Sequence, residues 1–153
     1  MIRAATTGDA PRIAALLHRN MPHPWTEDAV RAALSSPTSV LWVREDDAML
    51  SGVLILQLCL DEAEILTIAT EKARRRQGIG RSLMEYALRE VGPATVFLEV
   101  RAENTGAKAF YEALGFTPYG VRKRYYRDPV DDAILMKFVN FLKIPCQTEK
   151  KTV

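Results

Sequence analysis

The sequence is poor in cysteine: only Cys59 and Cys146 occur among its 153 residues. Two cysteines so far apart do not form the disulfide framework that stabilises small secreted domains, so we expect both to be free thiols. The first residues also lack the basic start, apolar middle and small-residue cleavage site of a secretory signal. These absences predict a cytoplasmic protein.

Long apolar runs and a strong charge bias are missing as well. The longest apolar stretch, residues 53–60, is interrupted by Gln57 and falls far short of the roughly 20 residues that a membrane-spanning helix needs. The net charge is only +2, and so small an excess does not indicate binding to nucleic acid. We therefore expect neither a membrane nor a nucleic acid as a partner.

Histidine is equally scarce, with His18 and His23 as the two examples. Neither has a third ligand at a metal-binding spacing, so no metal is expected. A Gly-x-Ser-x-Gly elbow and a Cys–His pair are also missing, which argues against covalent catalysis by a serine or a cysteine.

What is present is the composition of an ordinary globular domain, with 48% hydrophobic and 26% charged residues. Apolar periodicity predicts strands and helices in the order β-α-α-β-β-β-α-β-α-β-β, typical of an α+β fold with a mixed sheet and helices on both faces. We expect one domain over residues 1–142 and a flexible C-terminal tail over residues 143–153. The predicted strands are residues 1–5, 40–45, 50–58, 64–70, 95–100, 119–126 and 133–139.

The most informative segment is Arg75-Arg76-Gln77-Gly78-Ile79-Gly80-Arg81, which follows a predicted strand and opens a predicted helix. Glycines there allow a ligand to approach the backbone, and free N–H groups at a helix start attract anions. The segment predicts a phosphate-bearing ligand; from spacing alone, a tight helix start with solvated arginines is the alternative. No Walker loop is present, and Leu83 occupies the third glycine position of a dinucleotide fingerprint.

The Arg75-x-x-Gly78-x-Gly80 segment resembles the acetyl-CoA signature of the GNAT superfamily of N-acetyltransferases. Residues 97–104 (Phe-Leu-Glu-Val-Arg-Ala-Glu-Asn) and 109–116 (Ala-Phe-Tyr-Glu-Ala-Leu-Gly-Phe) are similar to the next two blocks of that family. Three blocks in the same order are far more specific than one.

Two further segments resemble the RimI-like branch, the ribosomal-protein-alanine N-acetyltransferases. They are Pro24-Trp25-Thr26 near the start and Arg124-Tyr125-Tyr126, followed by Asp132-Ala133-Ile134-Leu135-Met136, near the end. The resemblance covers about residues 1–140. The sequence departs from the family at Thr70, where a valine is more usual, and at residues 128–131, which lack the glycine usual in the last hairpin.

This resemblance implies the acyl-CoA N-acyltransferase fold of the GNAT proteins, a mostly antiparallel seven-stranded sheet. It also implies transfer of acetyl from acetyl-CoA to a protein N-terminal α-amine, namely the N-terminal alanine of a ribosomal protein. We expect the chain to be a monomer or a weak dimer. Two alternatives are a GNAT enzyme for a small-molecule or lysine amine, and an acetyl-CoA-binding module without turnover.

By the same resemblance, the strand segment Ile68-Ala69-Thr70 holds the pantetheine arm and polarises the thioester. The segment after it binds the pyrophosphate, and Asn104 lies near the cofactor, although an N-cap role for Asn104 is an equal alternative. The implied cofactor residues are Ile68, Ala69, Thr70, Arg75, Arg76, Gln77, Gly78, Ile79, Gly80, Arg81, Ser82, Asn104 and Tyr111.

The resemblance also implies the catalytic pair. Glu99 is the base, directly or through water, and Tyr111 is the acid that protonates the CoA sulfur, because acyl transfer to an amine needs both functions. From the residues alone, Glu99 has a salt bridge with Arg101 or Arg81 as its alternative role. For Tyr111 the alternative is a core aromatic position on an amphipathic helix.

For the acceptor, the resemblance implies a peptide groove formed by Trp25, with the preceding loop, and by Tyr125 and Tyr126. The basic residues 122–127 are accordingly interpreted as part of a substrate loop. A stacking and phosphate patch or a solvated strand edge are the alternatives.

Overall fold

The computed structural model describes residues 1–92 and 95–139. They divide into two compact units, Met1–Val91 and a second that begins at Gly92. Cys59 is a free, exposed thiol, as predicted, whereas Cys146 and the predicted tail lie outside the described residues. Among the helices of the described ranges, none is long and apolar enough to span a membrane.

The first unit contains four antiparallel strands that pair in chain order, β1 with β2, β2 with β3 and β3 with β4. Three α-helices and two short 3-10 turns complete it. The strands are β1 (Ile2–Ala4), β2 (Ser39–Asp46), β3 (Met49–Cys59) and β4 (Glu62–Thr70), the helices α1 (Ala10–Asn20), α2 (Glu27–Ser35) and α3 (Ile79–Glu90), and the 3-10 turns Thr7–Asp9 and Lys72–Arg74.

Local side-chain chemistry explains where the 3-10 turn before α1 and helix α2 begin. At the start of the 3-10 turn Thr6 and Asp9 form a capping box, in which the Thr6 N–H donates to the Asp9 carboxylate at 2.8 Å. Thr26 accepts the Ala29 N–H at 3.1 Å, and two carboxylates in the first turn of α2 complement the helix dipole.

Strand β3 is covered on both faces, so it is apolar almost throughout. Val53 and Ile55 belong to a buried cluster with Ile13 and Leu17 of α1. Side chains alternate across a strand, and on the opposite face Gly52 contacts α3. Helices therefore lie on both faces of this unit's strands, as predicted.

The second unit contains β5 (Thr95–Arg101), α4 (Thr105–Ala113), β6 (Thr117–Tyr126) and β7 (Asp131–Val139). Strand β7 pairs antiparallel with both β5 and β6, so it lies between them. Alternate residues of β5, namely Val96, Leu98 and Val100, are buried, which accounts for the period of two in their sequence.

The order of strands and helices agrees with the sequence-based prediction over the described residues. Small differences concern element ends. Strand β4 begins at Glu62 and not at 64, because Leu60 adopts a left-handed φ of 57° and the turn closes early, so that Glu62 already pairs with Cys59. The two 3-10 turns, each three residues long, precede α1 and the glycine-containing segment before α3.

Candidate active site

The glycine-containing segment forms the start of α3. Gly78 is the N-cap residue with a left-handed φ of 74°, and a Cβ built on it would meet nothing within 4 Å. The Ser82 N–H donates to the Gly78 carbonyl at 2.9 Å, so the N–H groups of residues 79–81 precede the first helical hydrogen bond. Because the dipole also makes this end positive, the segment suits an anionic group.

The cationic side chains before this helix are solvent-exposed. Arg75 and Arg76, together with Gln77, have exposed side chains, and Arg76 has a left-handed φ of 67° that turns the chain toward Gly78. Arg81 forms an i,i+4 ion pair with Glu85 at 2.9 Å. The arginines that precede Gly78 therefore add positive potential at the helix start.

A glycine on β3 sets how closely α3 approaches the strands. A Cβ added to Gly52 would lie 2.8 Å from Ile79 Cγ2 and 2.9 Å from Leu83 Cδ1, distances that a packed side chain does not allow. Gly52 thus positions the first turn of α3. The sequence analysis did not identify it, although a lone glycine inside an apolar strand signals a close approach.

Arg44 of β2 also fixes the first turn of α3. Its Nη1 donates to the Ser82 hydroxyl at 3.0 Å, while its Nε donates to the Asp46 carboxylate at 3.0 Å. The same hydroxyl donates to the Ile79 carbonyl at 2.8 Å. The Ser82 side chain, predicted to bind the cofactor, is therefore occupied in ordering the helix start.

The other end of the segment is attached to α1. The Glu71 carboxylate accepts from Arg19 Nη2 at 2.7 Å and from Asn20 Nδ2 at 3.3 Å, and these contacts hold the pKa of Glu71 below its ordinary value, the Arg19 hydrogen bond most of all. The Lys72 N–H donates to Asn20 Oδ1 at 3.0 Å. The segment between β4 and α3 is thus anchored where it begins and where it ends.

The predicted pantetheine strand is β4. Its pairing with β3 is irregular, because Ile55 pairs with Thr67 and Leu56 with Ile65, which leaves Leu66 without a counterpart. The Ala69 side chain is buried in the cluster with α1 and α2, so this residue has only its backbone to offer a ligand. Ile68 and Thr70 are half-buried and point to the other face.

In the second unit, Glu99 of β5 forms an ion pair with Arg122 of β6, with Oε1 and Nε 3.3 Å apart. The Glu99 side chain is 23% exposed. The structure therefore confirms a salt bridge at Glu99, but its partner is Arg122 and not Arg101 or Arg81, as the sequence suggested. The strand order places β7 between the two residues, and neither their spacing in sequence nor their residue types could reveal that.

Tyr111 is a core residue and at the same time a titratable group. It is 8% exposed and lies edge-on to Phe110 and Phe116, with ring centroids 5.3 Å and 5.7 Å away. Burial, with a smaller contribution from Tyr126, raises the pKa of Tyr111 to about 12. The phenol is therefore protonated throughout the physiological range and can donate a proton.

Tyr126, at the end of β6, is half-buried and interacts with both predicted catalytic residues. Its pKa is raised by burial first, then by the Glu99 carboxylate and by Tyr125, while Arg101 opposes the increase. Tyr126 also contributes to the raised pKa of Tyr111. Glu99, Tyr111 and Tyr126 all belong to the second unit, and Tyr126 is coupled electrostatically to the other two. Tyr125 is 49% exposed.

Strand β6 bulges just before Tyr126, and Tyr125 lies in the bulge. Arg122 pairs with Ala133 and Tyr126 with Asp131, so residues 123–125 face the single residue Asp132. Asp132 Oδ1 accepts the Arg124 N–H at 2.9 Å and Oδ2 accepts from Lys123 at 3.3 Å; these bonds lower the pKa of Asp132. Asp132, the first residue of the segment that resembles the RimI-like branch, therefore holds the bulge that precedes Tyr126.

Two other predicted residues have clear structural partners. Asn104 Oδ1 accepts the Ala107 N–H at 3.1 Å and so caps α4; its N-cap role is present, and cofactor binding stays a prediction. Trp25 of the first unit is partly buried and packs on the cluster formed by α1, α2 and the strands, as does Met21.

Residues 10–116 match the Acetyltransferase (GNAT) family. The chain belongs to the GNAT acetyltransferase family. The GNAT fold and the acetyltransferase class predicted from the sequence are thereby confirmed.

Curated relatives of this GNAT protein carry the RimI-type activity in their names. It is 35% identical over 140 residues to the [ribosomal protein bS18]-alanine N-acetyltransferase of Escherichia coli K12, which covers 88% of this chain and 94% of the relative. It is 34% identical over 142 residues to the N-alpha-acetyltransferase RimI of Mycobacterium tuberculosis, with 89% and 90% coverage. The predicted resemblance to the RimI-like branch is confirmed.

Solved structures agree. The crystal structure of the ribosomal-protein-S18-alanine N-acetyltransferase from Escherichia coli is 33% identical, with a TM-score of 0.85 and coverage of 91% of this chain and 92% of that one. Ard1 from Thermoplasma volcanium is 25% identical, with a TM-score of 0.81 and coverage of 91% and 96%.

Within residues 1–92 and 95–139, no group of three or more His, Cys, Asp or Glu side chains is arranged to hold a metal ion.

Proposed function

We propose that this GNAT protein transfers acetyl from acetyl-CoA to the N-terminal α-amine of a cytoplasmic protein, specifically the N-terminal alanine of a ribosomal protein. The observation that carries the proposal is the 35% identity to an Escherichia coli enzyme named for that reaction. The alignment covers 94% of that enzyme. No metal takes part in the proposed reaction.

In this proposal the pyrophosphate of acetyl-CoA binds at the start of α3. Gly78 and Gly80 leave the backbone accessible, and Arg75 and Arg76 add positive charge. The support is the left-handed N-cap and the open space where a Gly78 Cβ would lie. Backbone groups of Ile68, Ala69 and Thr70 would hold the pantetheine arm, as the family resemblance implies.

The proposed chemistry uses the second unit. As the amine nitrogen forms a bond with the acetyl carbon and the carbon–sulfur bond breaks, one proton must leave the nitrogen and one must reach the sulfur. Glu99 accepts the first, directly or through water, and Tyr111 gives the second. With a pKa of about 12, Tyr111 is protonated at pH 7, which is the state that a proton donor requires.

The ordinary pKa values of the two kinds of amine favour an α-amine as the acceptor. An α-amine has a pKa of about 7.7–8.0 and a lysine amine about 10.4, so near pH 7 roughly a tenth of the former is neutral but only about 0.04% of the latter. Because Glu99 is the one base proposed here, the amine that is easier to deprotonate fits better. Trp25, Tyr125 and Tyr126 are proposed to contact the peptide.

The test compares two acceptors at pH 7. The protein is given acetyl-CoA with a peptide that begins with free alanine, or with the same peptide blocked at its N-terminus and carrying an internal lysine. Acetylation is followed by mass spectrometry and by release of the CoA thiol. We expect the alanine peptide to react faster, since more of its amine is neutral.

Two outcomes would contradict the proposal. Faster acetylation of the blocked, lysine-bearing peptide would assign the protein to lysine or small-molecule amines. Binding of acetyl-CoA without thiol release in the presence of any amine would instead indicate a binding module. If the alanine peptide does react faster, mass spectrometry of N-termini from cells with and without the protein identifies the acceptor.

A further inference from the structure

Arg101, at the end of β5, fastens the turn that joins β6 to β7. Its Nη1 donates to the Pro129 carbonyl at 2.9 Å, and its Nη2 donates to the Arg127 carbonyl at 3.0 Å. One planar guanidinium therefore bridges two carbonyls of the same turn. This geometry needs a rigid fork of donors, which arginine has and lysine lacks.

The same guanidinium stacks on an aromatic ring of the candidate active site. The Arg101 Cζ lies 4.5 Å from the centroid of the Tyr126 ring, well within the range of a cation–π interaction. Arg101 thus contacts both the ring of Tyr126 and the turn that follows it, and both contacts restrict the same side chain.

Tyr126 is the residue through which this contact can influence the reaction. Its ring lies 5.1 Å from the ring of Tyr125, and the Arg122 guanidinium, which pairs with Glu99, lies 5.7 Å from that same Tyr125 ring. Its phenol is also coupled electrostatically to Glu99 and Tyr111, the proposed base and acid. A shift of Tyr126 would therefore alter the surroundings of both groups. Arg101 itself hydrogen-bonds to backbone carbonyls and not to the Glu99 carboxylate, whose ion-pair partner is Arg122.

We propose that Arg101 is a positioning residue for acyl transfer, which holds Tyr126 in the aromatic cluster next to the Glu99–Arg122 ion pair by stacking on its ring and bridging the Arg127 and Pro129 carbonyls. This inference rests on the proposed function and assigns to it a residue that acts through Tyr126. It also explains how a β6–β7 turn without the usual glycine is held in place.

A double-mutant cycle tests whether Arg101 acts through Tyr126. Arg101→Met, which keeps the length of the aliphatic stem, is expected to lower kcat/KM for the alanine peptide by about 10-fold to 100-fold, as misplaced groups do. Tyr126→Phe keeps the ring and removes the hydroxyl. In the Tyr126→Phe protein, adding Arg101→Met should lower kcat/KM by less than about twofold, because the hydroxyl that Arg101 positions is already absent.

Two further variants test whether the loss of activity comes from misfolding. Arg101→Lys retains the positive charge but not the two-carbonyl bridge, so it should also lose activity while the protein remains folded. Arg89→Met is the matched control, since Arg89 lies 5.8 Å from the Tyr86 ring on the last turn of α3 and has no role in the proposed reaction. It should leave kcat/KM unchanged.

A second readout is independent of turnover. Arg101 lowers the pKa of Tyr126, so Arg101→Met should move the titration of this phenol to higher pH, as followed by tyrosinate absorbance and assigned by its loss in Tyr126→Phe. The role is supported if the cycle is non-additive and the titration shifts.

The contrary results separate the two levels of inference. Equal losses from Arg101→Met with and without the Tyr126 hydroxyl, or full activity in Arg101→Met, would overturn the role of Arg101 and leave the proposed function intact. A wild-type protein that releases no CoA thiol with any amine would overturn the proposed function, and the positioning role would fall with it.

Discussion

Tyr111 is the single residue in which packing and chemistry meet most closely. The aromatic rings around it exclude water, and this burial raises its pKa to about 12. Burial thus keeps the phenol protonated, which is the state that the proposed proton donor must have when the CoA thiolate forms. If Tyr111 has this role, its hydroxyl matters for turnover and its ring for the core.

Tyr111→Phe separates these two contributions. We expect kcat to fall by about 10²-fold or more with little change in the KM for acetyl-CoA, because the proton donor is lost and the ring is kept. Thiol-release kinetics on the two proteins give the comparison, and thermal unfolding should show a similar Tm for both. Full turnover by the variant would leave Tyr111 as a core aromatic only.

Glu99→Gln tests the proposed base through its pH dependence. Because the α-amine is increasingly neutral above a pH of about 8, it needs less help from a base there. The loss of kcat/KM in the variant should therefore be largest below about pH 7 and should shrink as the pH rises. A loss that is constant from pH 6 to pH 9 would mean that Glu99 orients the substrate or, with Arg122, holds β5 and β6.

At the scale of an element, the start of α3 combines a left-handed N-cap with close packing on β3. Gly78 has a φ of 74° that β-branched residues strongly disfavour, and Gly52 leaves the space that Ile79 and Leu83 fill. Packing on β3 and the hydrogen bond from Arg44 to Ser82 therefore fix the helix start. The N–H groups of its first turn have no acceptor within the helix.

Gly78→Val is expected to abolish measurable acetyl-CoA binding and to leave the fold intact. A valine would strain the left-handed N-cap. Its side chain would also occupy the open space in which we propose that the cofactor binds. Calorimetric titration with acetyl-CoA measures the effect, with Gly8→Val as control, because a Cβ at Gly8 makes only an ordinary 3.7 Å contact with Thr6. Unchanged affinity in Gly78→Val would place the pyrophosphate elsewhere.

At the scale of the whole molecule, an ion-pair network connects the first strand to α1 and β2. Asp9, whose side chain is 6% exposed, accepts from Arg3 at 2.7 Å and 2.9 Å, and Arg3 and Arg12 both pair with Glu45. Hydrogen bonds from Arg3 hold the pKa of Asp9 well below its ordinary value, against the opposing effect of burial.

This depressed pKa has a defined consequence for the free energy of unfolding. The unfolded state takes up its proton near a pH of about 3.9, whereas the folded state does so only at lower pH. The stability that Asp9 contributes is therefore fully present above about pH 5 and is lost as the pH falls through about 4 toward the folded pKa. Glu45, Asp46, Glu71 and Asp132 shift in the same direction.

Asp9→Asn should lower the free energy of unfolding by about 1.5–3 kcal/mol at pH 7, since charge-assisted hydrogen bonds are lost. The same variant should depend less on pH between about 5 and 2. Urea titrations at several pH values provide the measurement. Asp47→Asn is the control, because Asp47 is 89% exposed and 3.5 Å from Arg74; an equal loss in both variants would refute the special role of Asp9.

Much of the fold follows from the sequence because its signals are local. Apolar periods of two and of about 3.6 depend on neighbours within a few residues, and so do the N-caps at Thr26 and Asn104. The phosphate-binding segment was equally recognisable, because a strand, a Gly-x-Gly and a helix start are adjacent in the chain. These features gave the order of elements and, by resemblance, the family.

Only the tertiary structure decided which distant groups meet. The partner of Glu99 is Arg122 of β6 and not its neighbour Arg101, because β7 pairs with both β5 and β6 in a register that only the folded sheet sets. The same register turns Arg101 toward the β6–β7 turn and Tyr126. Such contacts depend on strand order and bulges, which the free energy of the whole packed chain selects and no local pattern encodes.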